Sequence, residues 1–477
     1  MSRIKVLVVA AEGKPFVKTG GLGDVVGSLP GELAKLDVDA AVMLPKHSVI
    51  REKYGDQMTL VASMNISMGW RNLYMGVETM EFNGIRYYFI DNEYYFGGPV
   101  YKGGDDEVEQ YMYFCRAVLE ALPYIDFKPD VLHVHDWHTA MIPMLLKTQY
   151  QGREQGSIKT IFTFHNLQYQ GQVGFFRVED LLGIGPEYYS AEYIEAYGSA
   201  NMMKAGLVFA DKITTVSPTY AAEVRNAFFG RGMEGILDAR QGDLVGIVNG
   251  INQDEFDPAK DRDIAKTYSV KDMSGKKADK QELMDIMGLD IAEDVPVIGM
   301  VTRMTEQKGL DLVCAVLEEL LIEDAAFVIV GSGDRQYEDY FNYIAAHYPE
   351  RAGVYIGYND PLAHKIYAGS DFLLMPSLFE PCGISQMIAQ AYGTLPIVRE
   401  TGGLVDTVIP YNIHTKEGNG FSFTNYNAHD MLNVIRFALS IYKYPGDFAQ
   451  LVVSAMNTDN SFAPAAKKYK EVYESAL

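Results

Sequence analysis

The amino-acid sequence predicts an α/β protein built from two doubly wound domains, and three observations carry that prediction. Short apolar runs alternate with segments of helical spacing, once in each half of the chain. The first apolar run is followed by a glycine-pair loop, Lys18-Thr19-Gly20-Gly21-Leu22, which Thr401-Gly402-Gly403-Leu404 echoes far along the chain. With 477 residues, 48% of them hydrophobic and 22% charged, the chain is long enough for two domains and too apolar for disorder.

Residues 5–10 read as a buried parallel strand and residues 24–36 carry helical spacing, so the first glycine pair sits where a strand turns into a helix. Absent side chains there let a ligand reach the unpaired amides of a helix start, and Lys18 adds a full positive charge, a combination suited to a phosphate. Residues 40–44 form a second strand. Residues 60–90 alternate like antiparallel strands about Asn83-Gly84, a hairpin signal, and read as an insertion in the α/β half. A helix over 108–122, a strand over 131–135, a helix over 139–149 and strands over 160–164, 213–216 and 245–248 complete the first series. Asn249-Gly250 ends it, and the charged stretch 254–280 dilutes the apolar content, which places a domain boundary near Asn249. The second series has strands over 297–301, 327–330, 354–356, 372–375 and 395–398. Its helices span 310–321 and 337–346, with another following Gly403, and terminal helices cover 428–442 and 463–475. Doubly wound domains bind ligands outside the carboxyl ends of their strands, so a site is expected in a cleft between the two.

A net charge of −22 repels nucleic acid and anionic lipid, and leaves a neutral macromolecule as the admissible large partner. An anionic substrate would need cations gathered locally, which singles out Lys18, Arg303 and Lys308 beside the predicted loops. Three separated cysteines, Cys115, Cys314 and Cys382, argue against a disulfide framework and for a reducing compartment, the cytoplasm by default. The apolar start of the chain is short and is interrupted by Glu12 and Lys14, so it reads as a first strand instead of a signal peptide. No apolar run approaches the ~18 residues of a membrane helix.

Taken in order, several motifs resemble those of bacterial glycogen synthases and plant starch synthases, nearly end to end. They are Lys18-Thr-Gly-Gly-Leu, His135-Asp136-Trp137-His138, His165-Asn166, Asn249-Gly250-Ile251, Arg303 with Gln307-Lys308-Gly309, Pro376-Ser-Leu-Phe-Glu380-Pro-Cys382-Gly383 and Tyr392-Gly-Thr-Leu-Pro396, with the second glycine-pair loop. The resemblance implies a GT-B fold of two Rossmann-like domains. It also implies transfer of glucose from ADP-glucose, a co-substrate, to the non-reducing end of an α-1,4-glucan with retained configuration, and no separate cofactor. The last helix would cross back, giving domains of 1–248 with 458–477 and of 249–457.

Site residues follow from the strand ends and from the resemblance together. Arg303 and Lys308, just past the strand 297–301, are read as clamps on a departing diphosphate. Lys18, Gly20 and Gly21 join them from the other domain, and domain closure would bring Lys18 against a diphosphate also held by the amides of Thr401, Gly402 and Gly403. Asp136 and His165 emerge at strand ends, where the resemblance assigns them and Asn166 to the acceptor hydroxyl and the transferred glucose. Glu380, in a Pro- and Gly-flanked loop, is expected to grip sugar hydroxyls, with Cys382 and Gly383 lining the same loop. Asp24 and Asn249 are assigned to substrate binding. Tyr358 resembles an adenine-stacking tyrosine, with simple packing as the alternative, and Tyr94 and Tyr95 in a glycine-rich loop suit stacking on sugar faces.

Other readings carry less. Three histidines and Asp136 within residues 133–138 evoke zinc, but the spacing of the known hydrolase pattern is missing and remote ligands are not evident, so a satisfied strand-end cluster is preferred, with His133 structural. Asp37-Val-Asp39 and Asp261-Arg-Asp263 are read as solvated turns, and no catalytic metal is expected. Val17 stands where a nucleotide-hydrolase phosphate loop requires glycine. Looser relatives carry a glutamate where this chain has Ile388, and starch synthases lack it too. A catalytically silent glucan-binding protein and a preference for UDP-glucose are the alternatives, and the oligomeric state stays open.

Overall fold

The structure is a computed structural model that describes residues 3–477, and it separates into two compact units, one running to Asn249 and resumed by Phe462–Leu477, the other spanning Gly250–Ser461.

In the first unit the strands are β1 (Ile4–Val9), β2 (Val38–Pro45), β3 (Thr59–Met68), β4 (Arg71–Phe82), β5 (Ile85–Asp91), β6 (Val131–His135), β7 (Lys159–Phe164), β8 (Gln172–Val173), β9 (Glu195–Ala196), β10 (Ser199–Asn201), β11 (Lys212–Thr215) and β12 (Leu244–Gly246). Nine of them form one sheet in the order β12-β11-β7-β6-β1-β2-β5-β4-β3, and β8, β10 and β9 make a small antiparallel sheet. Strands β1, β6 and β7 are buried along almost their whole length, and the polar residues they carry, His133 and His135 on β6 and Thr160 and Thr163 on β7, are buried with them. The turn at Asn83-Gly84 forms as expected, both residues having positive φ. The hairpin is not a separate insertion, however. β5 pairs in parallel with β2, so β4 and β3 extend the main sheet and β3 is its edge.

The helix Ala463–Ala476 packs on this unit. Ala465, Ala466, Tyr469, Val472 and Tyr473 join the core formed by β1, β2 and the helix Gly21–Ala34. The Tyr473 hydroxyl also meets His133 Nδ1 at 2.8 Å, which gives a buried strand histidine a partner from the far end of the chain.

The second unit carries an all-parallel sheet of β13 (Val297–Val301), β14 (Ala326–Gly331), β15 (Ala352–Ile356), β16 (Phe372–Met375), β17 (Leu395–Arg399) and β18 (Phe421–Phe423), ordered β15-β14-β13-β16-β17-β18. The charged stretch 254–280 departs from its reading as a diluted linker. It contains the start of a helix, Ser274–Met287, whose Lys280 ammonium bonds Asp371 at 2.8 Å, while Lys276 donates to the carbonyls of Ala368 and Tyr392 and to Thr394 Oγ1. A further helix, Pro445–Met456, was not anticipated.

Asp261 is likewise not a solvated turn residue. It is 8% exposed and accepts hydrogen bonds from His364 Nδ1 at 2.7 Å and from the Tyr392 hydroxyl at 2.5 Å. Burial opposes charge on His364, but the hydrogen bond and charge of Asp261 outweigh it and raise its pKa. Replacing Asp261 with alanine strands two buried polar groups. The Asp261→Ala variant is expected to lose about 3 kcal/mol of stability in denaturant unfolding of the second unit, and a loss within experimental error would show that the triad is dispensable.

Candidate active site

In the first unit the functional side chains stand at the carboxyl ends of β1, β6 and β7. The loop after β1 is shaped by Glu12, which is buried and accepts the Thr19 backbone N–H at 2.5 Å and its hydroxyl at 2.7 Å. Burial raises the pKa of this carboxyl, and the Thr19 hydrogen bonds oppose the shift. Beyond it, Lys18 Nζ lies 2.8 Å from one oxygen of Asp24 and Lys14 Nζ 3.1 Å from the other. Asp24 thus gathers two ammonium groups in the first turn of the helix. The main-chain amides of Gly20 and Gly21 at that helix start have no acceptor among the described residues, as an anion site requires.

Asp136 follows β6 with φ 56° and ψ 177°, a backbone that a residue with a Cβ adopts only at a cost of about 1–2 kcal/mol. That conformation directs Oδ1 onto the His165 backbone N–H at 2.7 Å and so joins the ends of β6 and β7. Behind them lies a line of imidazoles. His165 Nε2 meets His135 Nδ1 at 3.0 Å, the His135 and His133 rings are 4.1 Å apart, and His133 Nε2 meets Thr163 Oγ1 at 2.6 Å. Loss of hydration drives all three below the ordinary histidine range, His133 to about 3, although Asp136 opposes the shift at His165. His133 is bonded at both ring nitrogens, to Thr163 and to Tyr473, whereas His135 Nε2 and His138 Nδ1 are buried without a partner among the described residues. Asn166 closes an Asx turn onto the Gln168 amide at 3.0 Å, and Asn249 is buried with its side-chain oxygen lacking a partner among the described residues.

Of the aromatic pair, Tyr94 is 79% exposed, but Tyr95 is not available for stacking on sugar. Its ring is buried against Tyr113 and its hydroxyl bonds Glu109 at 3.0 Å, since it lies on the inner side of the helix Glu93–Phe96.

In the second unit, Arg303 and Lys308 occupy the loop after β13. The Lys308 ammonium bonds Glu380 Oε2 at 2.6 Å, and the Ser377 hydroxyl donates to the same oxygen at 3.0 Å. Glu380 is buried, so the carboxylate expected to grip sugar is first of all the group that fixes Lys308. The contact is prepared by the backbone. Leu378 N–H bonds the Gln307 carbonyl at 2.9 Å, and Gly309, at φ +70°, allows an approach in which a Cβ would stand 2.0 Å from the Pro376 oxygen. Arg303 is exposed and makes no ion pair among the described residues. Tyr358, past β15, is 86% exposed, which removes simple packing as its explanation.

The second glycine-pair loop does not repeat the first. The Gly403 N–H bonds the carbonyls of Glu380 and Pro381 at 3.1 and 3.2 Å, and the Leu404 N–H bonds the Thr401 carbonyl. A Cβ on Gly402 or Gly403 would stand 2.0 or 2.1 Å from the oxygens of Glu380 and Cys382. The Gly403 amide is thus spent on the 380–383 loop, a correction to its assignment to a diphosphate, because these glycines serve backbone contact. Cys382 is buried in that loop, and the Gln386 amide holds its carbonyl and that of Gly383.

Arg399, which sequence reasoning passed over, donates to the carbonyls of Ser377 and Leu378 and steadies the loop carrying Glu380. Lys14 and Thr19 were missed as well; their proximity to Lys18 was the available signal. Among the described residues two groups have metal-like geometry, Asp261 with Asp263 and His364, and Glu255 with Asp360 and His364. The hydrogen bond between His364 and Asp261 accounts for the first as a structural cluster.

The neutral histidines predict a pH dependence. Their folded pKa values lie below the unfolded value near 6.5, so their contribution to stability is complete above that pH and is lost as pH falls through it, by up to about 1.4 kcal/mol per pH unit for each ring. Trp70 and Trp137 both lie in the first unit, so tryptophan fluorescence during denaturant unfolding reports it alone. Stability is expected to be lower at pH 5.5 than at pH 7.5, roughly in that proportion; equal values would contradict neutral burial.

Comparison with known proteins places this geometry. Residues 5–239 match the family described as starch synthase catalytic domain, and residues 285–450 match glycosyl transferases group 1. The chain is 52% identical over 475 residues to glycogen synthase of Geobacillus thermodenitrificans, covering 99% of this chain and 98% of that one. It is 49% identical to glycogen synthase of Bacillus cereus strain ATCC 10987, covering 99% and 100%. The catalytic domain of starch synthase IV from Arabidopsis thaliana, solved bound to ADP and acarbose, superposes with a TM-score of 0.92 at 31% identity over 100% of this chain and 99% of that one. Sucrose-phosphate synthase from Thermosynechococcus elongatus, at 17% identity and a TM-score of 0.63 over 99% of both chains, shares the fold. Matched from end to end at about half identity, the chain belongs to the glycogen synthase and starch synthase family of GT-B glycosyltransferases, enzymes of glycogen synthesis.

Proposed function

We propose that the protein transfers glucose from ADP-glucose to the non-reducing end of an α-1,4-glucan with retention of configuration, without a separate cofactor and in the cytoplasm. The observation that carries this reading is the short loop after β13, which presents an exposed Arg303 and, five positions on, a Lys308 fixed by Glu380 and Ser377. Cleavage of the sugar–phosphate bond builds negative charge on the departing diphosphate. Cations already held in place stabilise that charge without reorganising when it forms. Glu380 holds the Lys308 ammonium toward one side and leaves its remaining N–H bonds for phosphate oxygens. Exposed Tyr358 is available to the adenine ring, which favours ADP-glucose as donor.

The first unit supplies the acceptor side of the reading. Asp136 accepts a proton-bearing group of the sugar or acceptor with its second oxygen while the first holds the His165 main chain. A neutral His165 brings a carbonyl and an imidazole near a developing oxocarbenium centre without adding a repelling charge. No pair of carboxylates divides acid and nucleophile roles here. The acceptor oxygen therefore attacks on the face the phosphate leaves, and the departing phosphate takes the acceptor proton. The ADP bound to the Arabidopsis starch synthase domain supports the donor class, and the kinship with glycogen synthases supports the acceptor class.

Arg303→Ala and Lys308→Ala are each expected to lower kcat by roughly a hundredfold to a thousandfold, in the range for removing one preorganised charge-stabilising donor. Release of ADP and growth of labelled maltodextrin measure it, and unchanged turnover in Lys308→Ala would remove the clamp. Competing ADP-glucose against UDP-glucose decides the donor, and the anomeric signal of the new linkage by NMR decides retention.

A further inference from the structure

In the second unit the carboxylates of Glu255 and Asp360 and a ring nitrogen of His364 lie within 4.8 Å of one another, and none of the three takes part in the transfer reading above. Asp360 and His364 stand four apart on the helix Asp360–Gly369, the spacing that puts two side chains on one face, one turn apart. The helix start is set by Asn359, whose side chain accepts the Leu362 N–H at 3.1 Å. Glu255 comes from a separate turn, in which the N–H groups of Glu255 and Phe256 bond the Asn252 carbonyl at 3.2 and 2.9 Å. Phe256 lies nearly flat on the His364 ring, with 5.0 Å between centroids and 22° between planes, so the turn is pinned beside the imidazole.

The imidazole is the decisive member. His364 is 4% exposed, and the hydrogen bonds of its ring are made at Nδ1, with Asp261 at 2.7 Å and the Tyr392 hydroxyl at 3.5 Å. Nε2 has no hydrogen-bond partner among the described residues. A nitrogen so placed has lost water and gained nothing in return, a deficit that a ligand removes. Asp261 is itself fixed, its other oxygen accepting the Asp263 N–H at 2.8 Å. As the acceptor for Nδ1–H it selects the tautomer whose Nε2 carries a lone pair. A carboxylate behind an imidazole is also the arrangement that orients the histidine ligands of metal ions.

The donor set selects the ion. Calcium and magnesium take oxygen ligands, and copper(I) takes thiolate or thioether, so one imidazole nitrogen with two carboxylate oxygens points to a divalent first-row ion such as Zn2+. Zinc holds such donors at about 2.0–2.2 Å, roughly 3.4 Å from one another, so donors within 4.8 Å close onto it by about 1.4 Å or less. The movement falls to Asp360, which is exposed, and to Glu255, which is half-buried. The ring stays where Asp261, Phe256 and Tyr392 hold it. A chain of net charge −22 adds a field that draws cations.

We propose that Glu255, Asp360 and His364 form a structural metal site for a divalent ion of the zinc class, which ties the turn at 252–256 to the first turn of the helix Asp360–Gly369. Tyr358 stands two residues before Asp360, so a bound ion fixes the root of the loop that carries it and does no chemistry of its own.

The test takes the whole protein, stripped of metal with a chelator, as wild type, Asp360→Asn, Glu255→Gln and His364→Gln. Each is titrated with Zn2+ by calorimetry, and backbone hydrogen exchange is followed with and without the ion. Wild type is expected to bind a single Zn2+ that excess Mg2+ does not displace, and exchange is expected to slow over residues 252–257 and 359–364. Asp360→Asn and Glu255→Gln should each raise the Kd by roughly tenfold or more, the loss that even removal of a ligand's hydrogen-bond partner brings. The slowed exchange should vanish with them at Zn2+ concentrations that saturate wild type. No binding by wild type, or equal affinity in wild type and Asp360→Asn, overturns the proposal. Displacement by Mg2+ overturns the choice of ion, and slowed exchange elsewhere with these two stretches unchanged gives the ion to another site and overturns the assignment. His364→Gln also gives up its bond to Asp261; if that variant fails to fold, the exposed Asp360 carries the comparison.

Discussion

The bond between Lys308 and Glu380 is the constraint on which the second unit's chemistry depends. A buried carboxylate without a partner is costly, and an ammonium on a four-carbon stem is mobile, so each group supplies what the other lacks. The pair exists because two loops from the ends of β13 and β16 touch through their main chains. That contact is possible because Gly309 has no side chain, and Gly402 and Gly403, in the loop after β17, let a third loop pack on the same 380–382 segment. Glycines, a buried acid and Arg399 thus act together to fix the position of one cation.

The first unit reaches an equivalent end by different means. Asp136 takes a strained backbone to hold the His165 main chain, and behind it the histidines shed their charge and bond to one another, to Thr163 and to Tyr473. Asp24, not a phosphate, holds Lys14 and Lys18 together, so the cations stand in place before any ligand is bound. In both units carboxylates position the charged groups.

The two glycine-pair loops share four residues in order, and their roles differ. At Gly20 and Gly21 the amides at the start of a long helix lack acceptors among the described residues. At Gly403 the amide bonds the neighbouring loop. A local motif encodes the capacity for close approach, and the surrounding fold decides whether a ligand or another stretch of backbone makes it.

Periodicity was enough to read most of the parallel strands and, among the helices of twelve residues or more, all but Ser274–Met287 and Pro445–Met456, because each depends on which of its own residues meet water. Motif order was enough to read the family, and strand-end position together with that resemblance nominated Arg303, Lys308, Asp136 and His165. Residues whose role depends on remote partners were not legible. Asp261 looked solvated until His364 and Tyr392 closed over it, Tyr95 looked available until Glu109 and Tyr113 enclosed it, and the hairpin looked inserted until β5 paired with β2. By itself the sequence determined the elements, their order and the chemical groups at strand ends, since these follow from local pattern. Only the tertiary structure decided which carboxylate meets which cation and which amide is spent, because partners such as Lys308 and Glu380, 72 positions apart, are matched by the approach of loops that no local pattern records.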